Sequence, residues 1–144
     1  MSYDKIELVN PKSEARNPKQ IPMTQISNSK QYDLEARTFE FARSCRSLVK
    51  RLPKNISNFE DGKQLVRSSG SVAANYIEAN ESLSKKDFLL RIKISKKEAK
   101  ESCLWLKLIE VRTHETELQE LQNSLQQEAR ELMNILGAIL HKSL

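Results

Sequence analysis

Side chains that could act as acids, bases, nucleophiles or metal ligands are few and far apart in this sequence. His114 and His141 lie near the two ends of one predicted helix, and no Glu-x-x-His pair of a di-iron bundle is present. Cys45 and Cys103 are 58 positions apart, which matches no metal or redox spacing. No P-loop, dinucleotide-binding glycine pattern or nucleophile elbow occurs. We therefore expect no catalytic residue, metal or cofactor, and a protein that is not an enzyme.

Basic side chains, in contrast, are concentrated in two segments. Residues 84–107 hold eight Lys or Arg against three Asp or Glu, within a chain of net charge +5. Six lysines of this segment fall within an arc of about 100° on a helix. Aligned cations can neutralise phosphates and release counterions without reading bases. The candidate nucleic-acid-binding residues are Lys86, Lys93, Lys96, Lys97, Lys100 and Lys107 here, and Arg37, Arg43, Arg46, Lys50 and Arg51 in the first predicted helix. The alternative is a solvated face, partly paired with Glu98, Glu101 and an acidic last helix.

The elements that carry these residues are predicted to be helices. The 144 residues include 3 Gly and 4 Pro, too few for the many turns of a strand-rich fold. Apolar residues recur at helical spacing in each predicted segment, with short connections between them. The predicted core stripe of the first helix is Leu34, Phe41, Cys45, Leu48 and Leu52, and that of the second includes Tyr76 and Ile77. Small residues at 68–71 should let a neighbouring helix approach the second closely. The pattern predicts an all-α protein, an antiparallel up-down four-helix bundle. Its helices are expected at about Tyr32–Leu52, Phe59–Asn80, Lys85–Val111 and Glu115–His141.

Sequence signals also predict where the bundle begins and how its helices are capped. Pro53 ends the first helix, Ser57 with Glu60 or Asn58 with Asp61 caps the second, and Ser84 caps the third. Residues 1–30 are rich in proline and polar side chains and are expected to be a flexible arm, with the bundle domain over 31–144. Neither a signal peptide nor an apolar run of about 20 residues is present, so we expect a cytoplasmic protein without membrane contact.

The third predicted helix carries more apolar side chains than one core needs. Leu90, Ile94, Trp105 and Leu108 lie away from the predicted core residues Phe88 and Leu106. Exposing this surface to water would be costly, so we expect a homo-oligomer with these residues in its interface. The alternative is that the arm or the first helix covers them within one chain.

The stretch from Arg67 to Ile109 closely resembles a known bacterial family. Ser71 to Asn80 (SVAANYIEAN) and Glu98 to Leu106 (EAKESCLWL) carry the resemblance, which extends over roughly residues 32–140. The family comprises four-helix bundle proteins encoded by intervening sequences in 23S rRNA genes, also described as ribosomal-protein-like. The resemblance implies a ring-like homopentamer. It also implies similarity in fold to the accessory variability proteins of retroelements, which bind nucleic acid and a reverse transcriptase.

Two functions remain open at this point. The first is an oligomeric module that binds nucleic acid, RNA or DNA with RNA favoured, through the basic faces of the first and third helices. The second is a protein-interaction scaffold for a partner such as a polymerase, in which the basic faces only keep the protein soluble.

Overall fold

Residues 23–144 form four α-helices and no strand in the computed structural model, which describes the backbone of these residues and the side chains from residue 34 onwards. The helices are α1 (Met23–Lys50), α2 (Ile56–Asn80), α3 (Lys85–Leu108) and α4 (Thr116–Ser143). The predicted all-α class and the four-helix bundle are thereby confirmed.

Side-chain contacts show that neighbouring helices of the described chain run antiparallel. As residue numbers increase along one helix, the numbers of their contact partners on the next helix decrease. Across α2 and α3, for example, Ser68 contacts Ser102 and Asn75 contacts Arg91. Arg37 with Glu128 and Arg51 with Glu117 show the same for α1 and α4. Each helix contacts two others, and within the described residues α1 and α3 have no Cα pair within 8 Å. Helices α1 and α3 therefore lie diagonally across the bundle.

The core is built from the apolar stripes that the helical period predicts. The five predicted core residues of α1 are all buried: Leu34, Phe41, Cys45, Leu48 and Leu52. The largest side chains buried on the other helices include Tyr76, Ile92, Leu106 and Leu132. Ile77 was predicted in the α2 stripe, but it is 44% exposed. It follows Tyr76 by about 100° around the helix, which turns it out of the core.

Helix α1 begins at Met23, earlier than the predicted start at Tyr32. Pro22 is the last proline before Pro53, so no helix breaker interrupts the segment between them. The residues before Tyr32 gave no sustained apolar period, which is the signal that the prediction used. Residues 1–22 of the expected arm lie outside the described residues.

The cap of α2 differs from both predicted capping boxes. Asn55 is the N-cap, and its side-chain Oδ1 accepts a hydrogen bond of 2.8 Å from the backbone N–H of Asn58. The prediction placed the start at Phe59 because several cap-forming residues follow one another here. Ser84 caps α3 as predicted, accepting from the N–H of Asp87 at 3.1 Å. Helix α3 ends at Leu108, before the predicted Val111, because Ile109 has extended backbone angles.

Serine side chains allow α2 and α3 to approach closely. The hydroxyl groups of Ser68 and Ser102 lie 2.8 Å apart and both residues are fully buried. The Ser95 hydroxyl donates to the Val72 carbonyl at 2.8 Å. Small residues in the middle of α2 were predicted to permit such an approach, and Ser68 and Ser69 are buried accordingly. This tight pair of helices fixes the orientation of the outer face of α3.

Candidate nucleic-acid interface

A row of lysines runs along the outer face of α3. Lys86, Lys93, Lys100 and Lys107 follow one another at intervals of seven residues, and all four are exposed. Seven residues correspond to two helical turns, so consecutive side chains start about 10 Å apart. The row is about 30 Å long, close to the length of one turn of a nucleic-acid duplex.

This lysine row has no acidic partner among residues 34–144. Glu98 and Glu101 of α3, which the alternative interpretation paired with the lysines, pair with Arg67 of α2. Glu101 also accepts a hydrogen bond from the Trp105 indole N–H at 3.3 Å. Lys97 lies beside the row and is likewise exposed without a salt bridge to the described residues. The row thus keeps its full positive charge.

Lys96 is arranged differently from its neighbours on α3. It is half-buried, and its side chain crosses to α4 at Gly137, where an added Cβ would lie 3.5 Å from the Lys96 Cε. The long apolar stem of lysine can cover a neighbouring helix while the ammonium group reaches water. Lys96 therefore extends the positive surface towards α4.

Most of the basic residues predicted on α1 are engaged within the chain. Arg37 makes two hydrogen bonds to Glu128, of 3.0 and 2.7 Å, and a third to Glu131 of 3.1 Å. Glu128, and with it Glu131, raises the pKa of Arg37 despite partial burial. Arg51 pairs with Glu117 at 3.3 Å.

The other three α1 candidates, Arg43, Arg46 and Lys50, differ in their partners. Arg43 pairs with Glu40 at 2.8 Å and lowers the pKa of that carboxyl group. Arg46 donates to the backbone carbonyls of Ala42 and Val66, in the space left by Gly70. Only Lys50 of the five α1 candidates is exposed without such a partner in the described part of the chain. Because α1 is diagonal to α3, these residues do not extend the lysine row of the same chain.

The predicted oligomer stripe lies beside the lysine row. Leu90 and Leu108 are 52% and 49% exposed, while Ile94 and Trp105 are half-buried. Trp105 packs against the core of its own chain. On the helix, the stripe occupies an arc of about 60° on the α2 side of the lysines. A partner could therefore cover the leucines and leave the row accessible.

Leu104 belongs to this face but was not predicted. It is 48% exposed and lies within the arc of the lysines. Helical projection of the sequence places Leu104 among the lysines and outside the denser apolar stripe of Leu90, Ile94, Trp105 and Leu108. The outer face of α3 is consequently a mixture of lysine and leucine side chains.

Groups with reactive side chains are either buried or isolated in the described residues. Burial raises the pKa of the Cys45 thiol to about 12, so Cys45 stays protonated and unreactive in the folded protein. Cys103 is a buried free thiol. Residues 34–144 contain no cluster of three His, Cys, Asp or Glu side chains arranged to hold a metal ion. Within the described chain, no helix has the length and apolar character needed to cross a membrane.

The fold and the lysine row define a small helical-bundle protein with one strongly basic face. A family model described as 23S rRNA-intervening sequence protein matches residues 30–138, and the chain belongs to this family. A solved structure from Bacteroides thetaiotaomicron, a protein of unknown function from the S23 ribosomal protein family, is 31% identical in sequence. The match covers 78% of this chain and 98% of that chain, with a TM-score of 0.65. Comparison with curated proteins gives no match.

Proposed function

We propose that this chain is a non-enzymatic, oligomeric protein that binds RNA through the lysine row of α3. The observation that carries the proposal is the contrast between the two basic helices. Arg37 and Arg43 of α1 and Arg67 of α2 pair with carboxylates. The row lysines have no such partner in the described residues: Lys86, Lys93, Lys100 and Lys107. The description of the family by an intervening sequence of 23S rRNA favours RNA as the nucleic acid.

Contact with the phosphate backbone is the mode of binding that the row supports. Lysine ammonium groups act as point charges on flexible stems and do not form the planar pairs that read base edges. The outer face of α3 carries leucine between the lysines, and aromatic side chains for base stacking are lacking among its exposed residues. Binding should therefore depend on salt and show little preference for sequence.

Assembly would place several rows in one particle. The exposed leucines next to each row supply a surface for a second copy, and the resemblance to the family implies five copies in a ring. Several rows held together would raise the apparent affinity through multivalency, without any new contact in a single row.

A binding titration against salt tests the proposal directly. Fluorescence anisotropy of a labelled double-stranded RNA should give a plot of log K against log salt concentration with a slope of about −3 to −4 per row. The combined variant Lys93→Gln, Lys100→Gln, Lys107→Gln should reduce that slope by about 3, because each lysine contributes about one phosphate contact.

The matched control changes three exposed lysines that lie off the row, Lys54→Gln, Lys63→Gln and Lys142→Gln, and removes the same net charge. It should keep most of the affinity and the slope. Equal losses in the two triple variants would mean that only net charge matters, and a slope near zero in the unaltered protein would rule out phosphate contacts.

A protein-interaction scaffold is the second candidate function. The exposed Leu90, Leu104 and Leu108 favour it, because leucines at this spacing offer one side of a helix–helix contact. In that case a polymerase or another protein would cover α3, and the complex would survive nuclease treatment. Substitution of the leucines by alanine would then abolish the complex while the lysine variant kept it.

A further inference from the structure

An apolar groove lies at the end of the bundle where α1 passes into α2. Residues of α1, the connecting loop and the first turns of α2 line it, with a volume of about 900 Å³. Its floor contains Val49 and Val66, and its wall includes Ile56 and Phe59. No residue of α3 lines the groove.

Helices α1 and α2 approach closely at Gly62, which lines the groove. A Cβ at this position would lie 3.1 Å from the Val49 Cγ1. The wall residues are unusually exposed for their size, Ile56 at 82% and Phe59 at 65%. Contiguous exposed apolar side chains of this kind mark interaction sites in soluble proteins.

Charge at the rim of the groove identifies the chemistry of an occupant. The described lining residues include Lys50, Lys54 and Lys63 and no carboxylate. Lys63 has only a distant salt bridge, 3.9 Å from the Glu60 Oε1, and its Nζ lies 5.1 Å from the centre of the Phe59 ring. A ligand with an apolar face and carboxylates on both sides would match this surface.

We propose that the groove binds an acidic amphipathic helix of a partner polypeptide. Apolar residues one turn apart would enter between Phe59 and Val49, and flanking Asp or Glu side chains would reach the rim lysines. A nucleic acid suits the groove less well. Single strands bind by stacking on aromatic rings. Phe59 is the only aromatic residue among the described residues that line the groove, and one face of its ring is next to the Lys63 ammonium group.

The test uses a fluorescein-labelled synthetic helix of about four turns, with leucine on one face and glutamate on either side of it. Its twin carries lysine in place of glutamate. The full chain should bind the acidic peptide and not the twin. The combined variant Ile56→Ala and Phe59→Ala should weaken binding at least about tenfold, as expected for central anchor contacts. Lys50→Gln with Lys54→Gln should weaken it and flatten its salt dependence.

Phe39→Ala provides the matched control for the wall variant. Phe39 is also an exposed phenylalanine beside a cation, with the Arg43 guanidinium 5.7 Å from its ring, but it lies outside the groove. Its substitution should leave peptide binding unchanged. Both altered groove residues are largely exposed, so the wall variant should fold normally.

Three results would overturn the proposal: equal binding of the two peptides, no effect of the wall variant, or displacement of the acidic peptide by a single-stranded RNA. A lower mass of the wall variant in light scattering, without peptide binding by the unaltered chain, would assign the groove to a second copy instead. The triple lysine variant of α3 should bind the peptide normally, which separates this proposal from the RNA-binding function.

Discussion

Asn58 connects two loops at one end of the bundle. Its side-chain NH₂ donates to the carbonyls of Pro53 and Glu110, at 3.0 and 2.9 Å, and its Oδ1 accepts from the Glu110 N–H at 2.8 Å. The residue is only 4% exposed. One amide thus satisfies backbone groups of the α1–α2 loop and of the segment that follows α3.

Asn58→Ala should destabilise the protein by about 2–4 kcal/mol, because it leaves several backbone groups without a partner in a site that excludes water. Urea unfolding followed by circular dichroism measures the change. Asn123→Ala, at an exposed position of α4, is the control and should change the free energy of unfolding by less than about 0.5 kcal/mol. A similar small change for Asn58→Ala would show that water replaces the amide.

At the scale of single residues, the sequence allowed burial to be predicted better than pairing. The apolar stripe of α1 and the cap at Ser84 follow from local spacing, and the structure contains both. The role of Asn58 depends on a partner 52 positions away, which no local pattern contains. The same holds for Arg37, whose carboxylate partners lie on α4.

Among the elements, α1 and α4 meet through charged side chains. The Arg37 guanidinium donates hydrogen bonds to Glu128 from Nε and Nη2, and Nη2 also donates to Glu131. Hydrogen bonds from Gln127 and Arg37 lower the pKa of Glu131. The network links α1 to α4 and completes the cycle of contacts around the bundle.

Arg37→Gln should lower the stability by about 1 kcal/mol at neutral pH, the upper part of the range for partly exposed pairs. A carboxyl group whose pKa is lowered by folding stabilises the protein above its ordinary value of 4.5, and this contribution disappears as the pH falls. The difference between Arg37→Gln and the unaltered protein should therefore shrink in urea titrations from pH 7 to pH 3.

Lys50→Gln removes an exposed cation of α1 that has no salt bridge to the described residues, and it serves as the control. It should have little effect on stability at either pH. A difference between Arg37→Gln and the unaltered protein that stays constant with pH would argue that lost packing of the arginine stem, and not the ion network, is responsible.

The limits of prediction at the element scale have different causes in different helices. The helical spacing of apolar residues predicted the four helices, because each helix presents an apolar stripe to the same core. The beginning of α1 before Tyr32 and the Asn55 cap were missed, since one segment lacks a stripe and the other offers several adjacent capping residues. The small residues in the middle of α2 were recognised, but the contact of Ser68 with Ser102 depends on the register of α2 against α3.

Across the whole molecule, the diagonal placement of α1 and α3 separates the two basic helices. An up-down bundle already implies this placement, because consecutive helices are neighbours. What the sequence could not reveal is which cations the acidic side chains neutralise. Glu117, Glu128 and Glu131 of α4 pair with α1, so the lysine row of α3 retains its charge.

Assembly into an oligomer is the remaining prediction, and it concerns the exposed part of the stripe. Leu90 and Leu108 are each about half exposed, so covering the remainder should contribute about 1 kcal/mol per side chain in each copy. Glutamate at both positions would in addition place charges in an apolar contact, which is strongly unfavourable. Light scattering of the unaltered chain should give a multiple of 16.6 kDa, and Leu90→Glu with Leu108→Glu should give the monomer mass.

Leu83→Glu is the control for the added charge, because Leu83 is fully exposed in the turn between α2 and α3. It should leave the mass of the oligomer unchanged. If the unaltered chain were a monomer at micromolar concentration, the stripe would not be a contact between copies, and its leucines would be available to a different protein. If instead the double glutamate variant dissociated and lost the steep salt dependence of RNA binding, the rows of several copies would act together, because one row alone contacts fewer phosphates than several.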